Sequence, residues 1–597
     1  MPADYKDRVD FENADRNFIG KLDPMVITAA NGRVVWDMNW DFLDGDCPET
    51  ANPSLWRMSQ LNSRHGLYQV TDGIYQVRGF EMSNMTLVEG DTGVIVIDPL
   101  ISVECAAAAL ALYRQYRGDR AVTAVIYTHA HIDHFAGVLG VVDADTTVPI
   151  VAPEHFMEHA VSENVYAGNA MLRRGYYYAA AHVEKGPTGN LGIGLGAGSS
   201  TGTMSLIAPT LEITRTGQEE VLDGVRIVFQ MTPGTECPSE MNFHFPEHRA
   251  LCMSENATRN LHNILTLRGA QVRDPRMWSR YISEAVELFA DKADVAFASH
   301  HWPTWGTEKI VDFLKTQRDL YAYLHDQTLR LLNLGYVGAE IAEMIEMPPG
   351  LESAWSTHGY YGSTNHNVKA IYQRYLGWYD GNPAHLWQHP PEAAATRYVE
   401  AIGGIDATIA KAEQYRDAGD LRFAAELGSH AVFAAPDNAE ARELLATVLE
   451  KLGFGAECAT WRNCYLAGAQ ELRQAIMHSD LNSSGLAPAL TATQLFDSVA
   501  IRINGPKAWN ERLSIAWHLT DADEHYRMEL SNGVLIHYPT TQQQAADLAV
   551  SLTKRQLLGL LVAGHSDGLD MSGDSGVLTK LVSLTDAPDP DFAVVTP

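Results

Sequence analysis

Short apolar runs rich in valine and isoleucine recur through the first half of the chain, at residues 85–88, 93–98, 121–127, 225–231, 250–254 and 293–299. Longer stretches with helical spacing separate several of them, so an α/β core is expected between about residues 67 and 301. From 311 to 473 the strand pattern gives way to alanine-rich helical periodicity. Within it, residues 420–453 read as one helix-turn-helix of the tetratricopeptide kind, broken at Pro436–Asn438. One such repeat cannot bury both its faces, which points to packing within this domain or against a second subunit. Alternation with period two returns at 513–519, 526–530 and 533–538, with a hairpin signal at Ser531-Asn532-Gly533. Helical patterns at 542–551 and 554–563 complete a small α+β domain. The expected division is therefore 1–310 (α/β, with an N-terminal extension), 311–475 (helical) and 476–597 (α+β).

A net charge of −30 opposes binding to nucleic acid or to an anionic membrane surface, and it requires any anionic substrate to meet a local positive pocket. No stretch approaches the roughly 20 apolar residues of a membrane span. The first twenty residues show no basic start followed by an apolar run, so a cytoplasmic protein is expected, or an exported one whose signal has been removed. Six cysteines without a CxxC pair argue against a disulfide framework or a cysteine-zinc module. The glycine-rich stretch at 185–203 has neither the GxGxxG nor the GxxxxGK[ST] order and reads as a surface or pocket loop.

The chemistry concentrates at residues 125–137, VIYTHAHIDHFAG, where an apolar strand runs straight into His129, His131, Asp133 and His134. Three imidazoles and a carboxylate within six residues are costly to bury without a partner. His129 and His131, two apart, point to one side, while Asp133 and His134 can turn toward a second centre. Nitrogen and oxygen donors of this kind suit zinc, and two close metals can activate water at neutral pH.

HxHxDH at a strand end resembles the metallo-β-lactamase superfamily, as do the strand pair closing on Asp98 and the Thr232-Pro233-Gly234 turn. The resemblance implies an αββα sandwich with the site at one edge. Where that superfamily commonly has a third histidine and a bridging aspartate, this chain carries Glu236 and Glu255. With the segments 254–279 and 299–306, this is similar to the zinc-dependent alkylsulfatase branch, and the similarity runs over nearly the whole chain. It implies two zinc ions per chain, one held by His129, His131 and Glu236, the other by Asp133, His134 and His300, with Glu255 bridging. Glu240 competes with Glu236 for its place, and His301 with His300. It further implies a homodimer formed through the helical domain, a sterol-carrier-like C-terminal domain and an alkyl sulfate substrate.

For the sulfate, Asn263, Arg268 and Arg273 follow the bridging Glu255 and supply an amide and two guanidinium donors. A leaving alkoxide would need an acid, for which the aromatic-rich stretch 353–381 offers His366 first, then Tyr375, His358 and Tyr361. Trp302, Trp305, Trp355 and Trp378 are candidate walls for an alkyl chain. Two rivals stand beside this reading: another hydrolase of the same fold (phosphodiesterase, thioesterase or lactamase), and a non-catalytic, metal-stabilised lipid-binding protein.

Overall fold

A computed structural model describes residues 3–474, 483–565 and 568–597. Eight strands form the first sheet, in the order Phe18–Gly20, Gly66–Thr71, Ile74–Arg78, Met85–Glu89, Val94–Ile97, Val122–Ile126, Ile150–Pro153 and Leu211–Ile213. Its N-terminal strands meander antiparallel, and from Val94–Ile97 onward the neighbours run parallel. A six-stranded sheet, from Glu219–Leu222 to Thr304–Trp305, faces it.

Side-chain alternation explains the layering. In Val94–Ile97, Ile95 and Ile97 point between the sheets, against Ile227, Phe229, Phe243 and Phe297, whereas Val94 and Val96 point outward. That outward face packs on Cys105, Ala109 and Tyr113 of the helix Val103–Arg117. The second sheet's outward face, with Leu251 and Ala296, packs on Trp278, Ile282 and Ile310 of the helices Pro275–Phe289 and Thr307–Leu332. A strand that is apolar on both faces is what a sheet covered on both sides requires. The result is an αββα sandwich. The helix Thr307–Leu332 runs across the boundary expected at 310 and belongs to the sandwich's outer layer.

Seven helices from Gly338–Met344 to Ala459–Arg473, with the short helix Pro349–Glu352, occupy the following region. The helix pair expected at 420–453 is present as Leu421–Ala434 and Ala439–Gly455, capped by Asp420 and Asn438, whose side chains accept from Phe423 N and Ala441 N. The boundary expected between 475 and 476 lies outside the described residues.

In the C-terminal part a five-stranded sheet has the order Val534–Thr540, Glu524–Ser531, Leu513–Leu519, Leu548–Leu552 and Asp570–Gly573. One expectation is corrected here. Residues 542–551 hold no helix; Leu548–Leu552 is a strand parallel to Leu513–Leu519. Leu548, Val550 and Leu552 reach the domain core with period two, and the helix-forming Gln542-Gln543-Gln544-Ala545-Ala546 offers no apolar stripe to hold a helix there.

Candidate metal centre

Every candidate ligand sits just past the end of a strand, on a loop held by the sandwich. Val122–Ile126 delivers Thr128 to His134; Val225–Met231 leads to Glu236; Ala250–Cys252 leads to Glu255; Val295–Phe297 leads to His300. Asp98, Ser254 and His301 at these ends adopt left-handed backbone (φ 55°, 49° and 63°), an uncommon conformation for non-glycine residues that turns the chain sharply.

Two clusters result. His129, His131, Glu236 and Glu255 bring one donor atom each into one group, and Asp133, His134, His300 and Glu255 into another. Glu255 Oε2 lies 3.3 Å from His129 Nε2, 3.1 Å from His134 Nε2 and 3.1 Å from His300 Nε2. Glu236 Oε2 lies 3.3 Å from His129 Nε2 and 2.8 Å from His131 Nδ1. Asp133 Oδ2 is 3.0 Å from His134 Nε2. The Nε2 atoms of His129, His134 and His300, and Glu236 Oε2, are fully enclosed and have no hydrogen-bond partner among the described residues. Buried polar atoms are almost always paired, so four converging orphans mark a position that divalent cations would satisfy. The donor set fits such ions.

The opposite ring nitrogens are fixed by the scaffold. His134 Nδ1 donates to Asp98 Oδ2 at 2.9 Å, and His300 Nδ1 to the Met82 carbonyl at 2.9 Å. The Thr128 hydroxyl donates to Asp98 at 2.8 Å and so accepts from His129 Nδ1, also at 2.8 Å. Each bond places the free lone pair on Nε2, toward the cluster. Gly196 makes the Met82 contact possible, because a Cβ there would lie 2.6 Å from the Met82 Cα.

Of the competing ligands, Glu240 turns away: its carboxylate accepts from Thr235 Oγ1, Cys237 N and Glu255 N. Burial, and then the charge of Glu236, pushes Glu240 well above the usual carboxylate range and favours its protonated form. Both ring nitrogens of His301 are committed, Nε2 to the Gly194 carbonyl and Nδ1 to Arg259 N.

Beside the cluster opens a cleft enclosing about 980 Å³, open solvent at its mouth included. His131, Asp133, Glu236 and Glu255 face it, together with Arg268, Arg273 and Thr266. Both arginines are already engaged: Arg273 Nη2 lies 2.5 Å from Glu236 Oε1, and Arg268 Nη2 lies 2.9 Å from Glu163 Oε2. Asn263 does not line the cleft; its side-chain oxygen accepts from Arg273 and from Thr266 Oγ1, which makes it a brace for the arginine. The apolar wall consists of Met82, Ile101, Ile132, Met171, Leu195 and Met204. None of the four tryptophans lines it: Trp302, Trp305 and Trp355 spend their indole N–H on Asp10, Val70 and Asp4, and Trp378 is solvent-exposed. The glycine-rich stretch is a pocket loop, contributing Leu195, Ser199, Ser200 and Thr201.

His366 and Tyr375 also stand outside this lining. His366 is buried, accepts at Nδ1 from Trp461 Nε1 at 2.8 Å, and is pushed down by burial to about 3, which keeps it neutral. Tyr375 is half-exposed and hydrogen-bonded to His325, and His358 is paired with Glu457. Tyr361 does line the cleft, with Tyr178. Burial, and then the neighbouring Tyr178, pushes its phenol well above its ordinary range, so it is a hydrogen-bond donor at neutral pH. Sequence reasoning passed over His262, whose Nε2 lies 2.8 Å from Glu255 Oε1, and Ser83, which donates to Asp133 at 2.5 Å. His262 sits between Glu255 and Arg268 and could have been found from that position; Ser83 and Glu163 carry no local signal.

The sandwich and its strand-end cluster define the class: residues 78–300 match the family model for the metallo-β-lactamase superfamily. Residues 337–475 match that for alkyl sulfatase dimerisation, and 480–597 that for the alkyl sulfatase C-terminal domain. The chain is 45% identical over 610 aligned positions to a linear primary-alkylsulfatase of Pseudomonas sp, covering 99% of this chain and 90% of that one. It is 44% identical to an alkyl/aryl-sulfatase of Saccharomyces cerevisiae, with 99% and 94% covered. It superposes at a TM-score of 0.97 and 40% identity on a stereoselective inverting sec-alkylsulfatase from Pseudomonas sp., covering 100% of this chain and 96% of that one. This chain belongs to the alkylsulfatase family. Among the described residues no helix is long and apolar enough to cross a membrane.

Proposed function

We propose that the protein hydrolyses alkyl sulfate esters to an alcohol and inorganic sulfate, using two zinc ions held by His129, His131 and Glu236 and by Asp133, His134 and His300, with Glu255 between them. The observation that carries this is the pair of clusters with unpartnered, inward-facing nitrogens, opening onto a cleft with an apolar wall. Zinc so held supplies Lewis acidity and lowers the pKa of water.

Charge supports the substrate class. Asp98, Asp133, Glu236 and Glu255 are buried with one adjacent guanidinium, Arg273, and Arg268 is cancelled by Glu163. Two divalent ions would turn the resulting three negative charges into one positive charge, the complement of a sulfate monoester. Arg273 and the phenols of Tyr178 and Tyr361 present donors to sulfate oxygens, and Met82, Ile132, Leu195 and Met204 present methyl and methylene surface to an alkyl chain. A lactamase or phosphodiesterase substrate has less use for that wall. We read the helical region as the homodimer contact, as its family description implies.

The test is sulfate release from dodecyl sulfate and from one secondary alkyl sulfate in oxygen-18 water, with metal counted in the same sample. Label in the sulfate identifies S–O cleavage. Label in the alcohol identifies C–O cleavage, the route consistent with the inverting relative. A sample with two metals per chain that releases sulfate from neither substrate overturns the proposal.

A further inference from the structure

We propose that His518, Asp523 and His525 form a separate divalent-cation site on the C-terminal domain, selective for borderline ions of the zinc, nickel and copper class. The strands Leu513–Leu519 and Glu524–Ser531 are joined by a tight turn, and their register sets His518 directly opposite His525. Cross-strand partners project to the same face of a sheet. The two imidazoles accordingly stack with centroids 4.3 Å apart and planes 18° apart, and both Nε2 atoms face the same carboxylate oxygen.

The third donor comes from the turn. Asp523 adopts a left-handed backbone (φ 52°) and bends its carboxylate back over the imidazole pair. Its Oδ1 lies 3.1 Å from His518 Nε2 and 3.9 Å from His525 Nε2, and the three donor atoms fit within a sphere of ligation. The neighbouring carboxylates have other work: Asp521 caps the helix Lys554–Ala563 by accepting from Lys554 N, and Glu524 accepts from the Tyr526 hydroxyl. Asp523 alone answers to the histidines. Two imidazoles and one carboxylate suit zinc, nickel or copper and disfavour calcium or magnesium, which prefer all-oxygen sites.

The position has a structural consequence. These two strands are central in the five-stranded sheet, so a bound ion clips the hairpin on which the domain is built. His525 Nδ1 is buried without a partner among the described residues, so one ligand lacks an orienting second bond. The site therefore binds more weakly than the braced interior centre.

Zinc is the probe. The full chain, His518→Gln/His525→Gln and Asp523→Asn are each equilibrated against the same micromolar zinc, and bound metal is counted per chain. Asparagine tolerates the left-handed turn and the position is exposed, so Asp523→Asn tests the ligand without threatening the fold. The double variant is expected to bind one zinc fewer than the parent and to keep its full rate of alkyl sulfate hydrolysis. Asp523→Asn is expected to weaken that same equivalent about tenfold. Zinc should slow hydrogen exchange in residues 513–531 of the parent, less in Asp523→Asn at the same zinc concentration, and not in the double variant. Equal zinc counts in parent and double variant overturn the proposal and leave an ordinary surface ion pair.

Discussion

The two halves of the interior cluster share Glu255 but are held in different ways. Around Asp133, His134 and His300 the supports are scaffold: Asp98, the Met82 carbonyl and Ser83 each contribute a hydrogen bond from a strand end or loop of the sandwich. Around His129, His131 and Glu236 the cleft intrudes. His131 and Glu236 face it, and Glu236 is steadied by Arg273, itself a cleft residue. Both halves reach the cleft, through Asp133 on one side and through His131 and Glu236 on the other, but only the latter is steadied by a cation that itself lines the cleft. Substitution of that cation should therefore act on the metal position that includes Glu236 and leave the other alone.

The bluntest way to break this contrast is Glu255→Ala, because that carboxylate serves both halves. Losing several kcal/mol of metal-derived stabilisation corresponds to about 10³-fold in kcat. Metal analysis should show both ions lost; retention of one ion at full occupancy would mean that Glu255 does not bridge. Next, Asp98→Asn should weaken chiefly the half whose His134 it holds directly, by about 10–100-fold in metal affinity, and the other half less, through Thr128 and His129, read as two unequally weakened steps in a zinc titration. Arg273→Lys replaces a fork that holds Glu236 and Asn263 with a point charge, and an increase in KM for dodecyl sulfate of about tenfold is expected, with the scaffold-held metal unaffected.

Smaller still is Glu163→Gln. It releases Arg268 toward the cleft, and KM should fall about threefold, with a steeper dependence on ionic strength. The mildest effect concerns His366, outside both halves. Its folded-state value is depressed by burial to about 3, so between that pH and 6.5 the unfolded chain binds a proton that the folded chain does not. Stability should therefore fall as pH drops from 6.5 toward 3, and His366→Gln should flatten that slope in urea unfolding curves while sparing kcat. A loss of kcat with unchanged unfolding would return His366 to the reaction.

Joining the halves to the rest of the chain is a contact that no motif announces. Arg173, on the helix Gly168–Tyr178 whose residues line the cleft, lies 2.6 Å from Glu471 of the helix Ala459–Arg473. The Tyr177 hydroxyl donates to the same carboxylate, and the backbone N–H groups of Val594 and Val595 reach its other oxygen. The helical region and the chain's last residues thus hold one wall of the cleft in place.

Local sequence determined a good deal. Apolar runs of the right length marked the strands, and the density of imidazole and carboxylate at 129–134 marked the chemistry, because both signals lie within a few consecutive residues. Glu236, Glu255 and His300 came into view through the family resemblance, with the Thr232-Pro233-Gly234 turn favouring Glu236 over Glu240 and the strand end favouring His300 over His301. The walls did not. Tryptophans looked like alkyl-binding surface and proved to be pinned elsewhere by their indole N–H groups, while methionines and leucines from four separate segments formed the wall. Arg268 and Arg273 looked like free cations, and only the folded chain brings Glu163 and Glu236 against them. Likewise residues 542–551 looked helical by composition, and pairing with Leu513–Leu519 made their end a strand. A side chain's identity and its neighbours in the chain fix which bonds it can make. Which partner it meets depends on segments distant in the chain closing against one another, and that is decided by how the sheets pair their strands and pack with their helices.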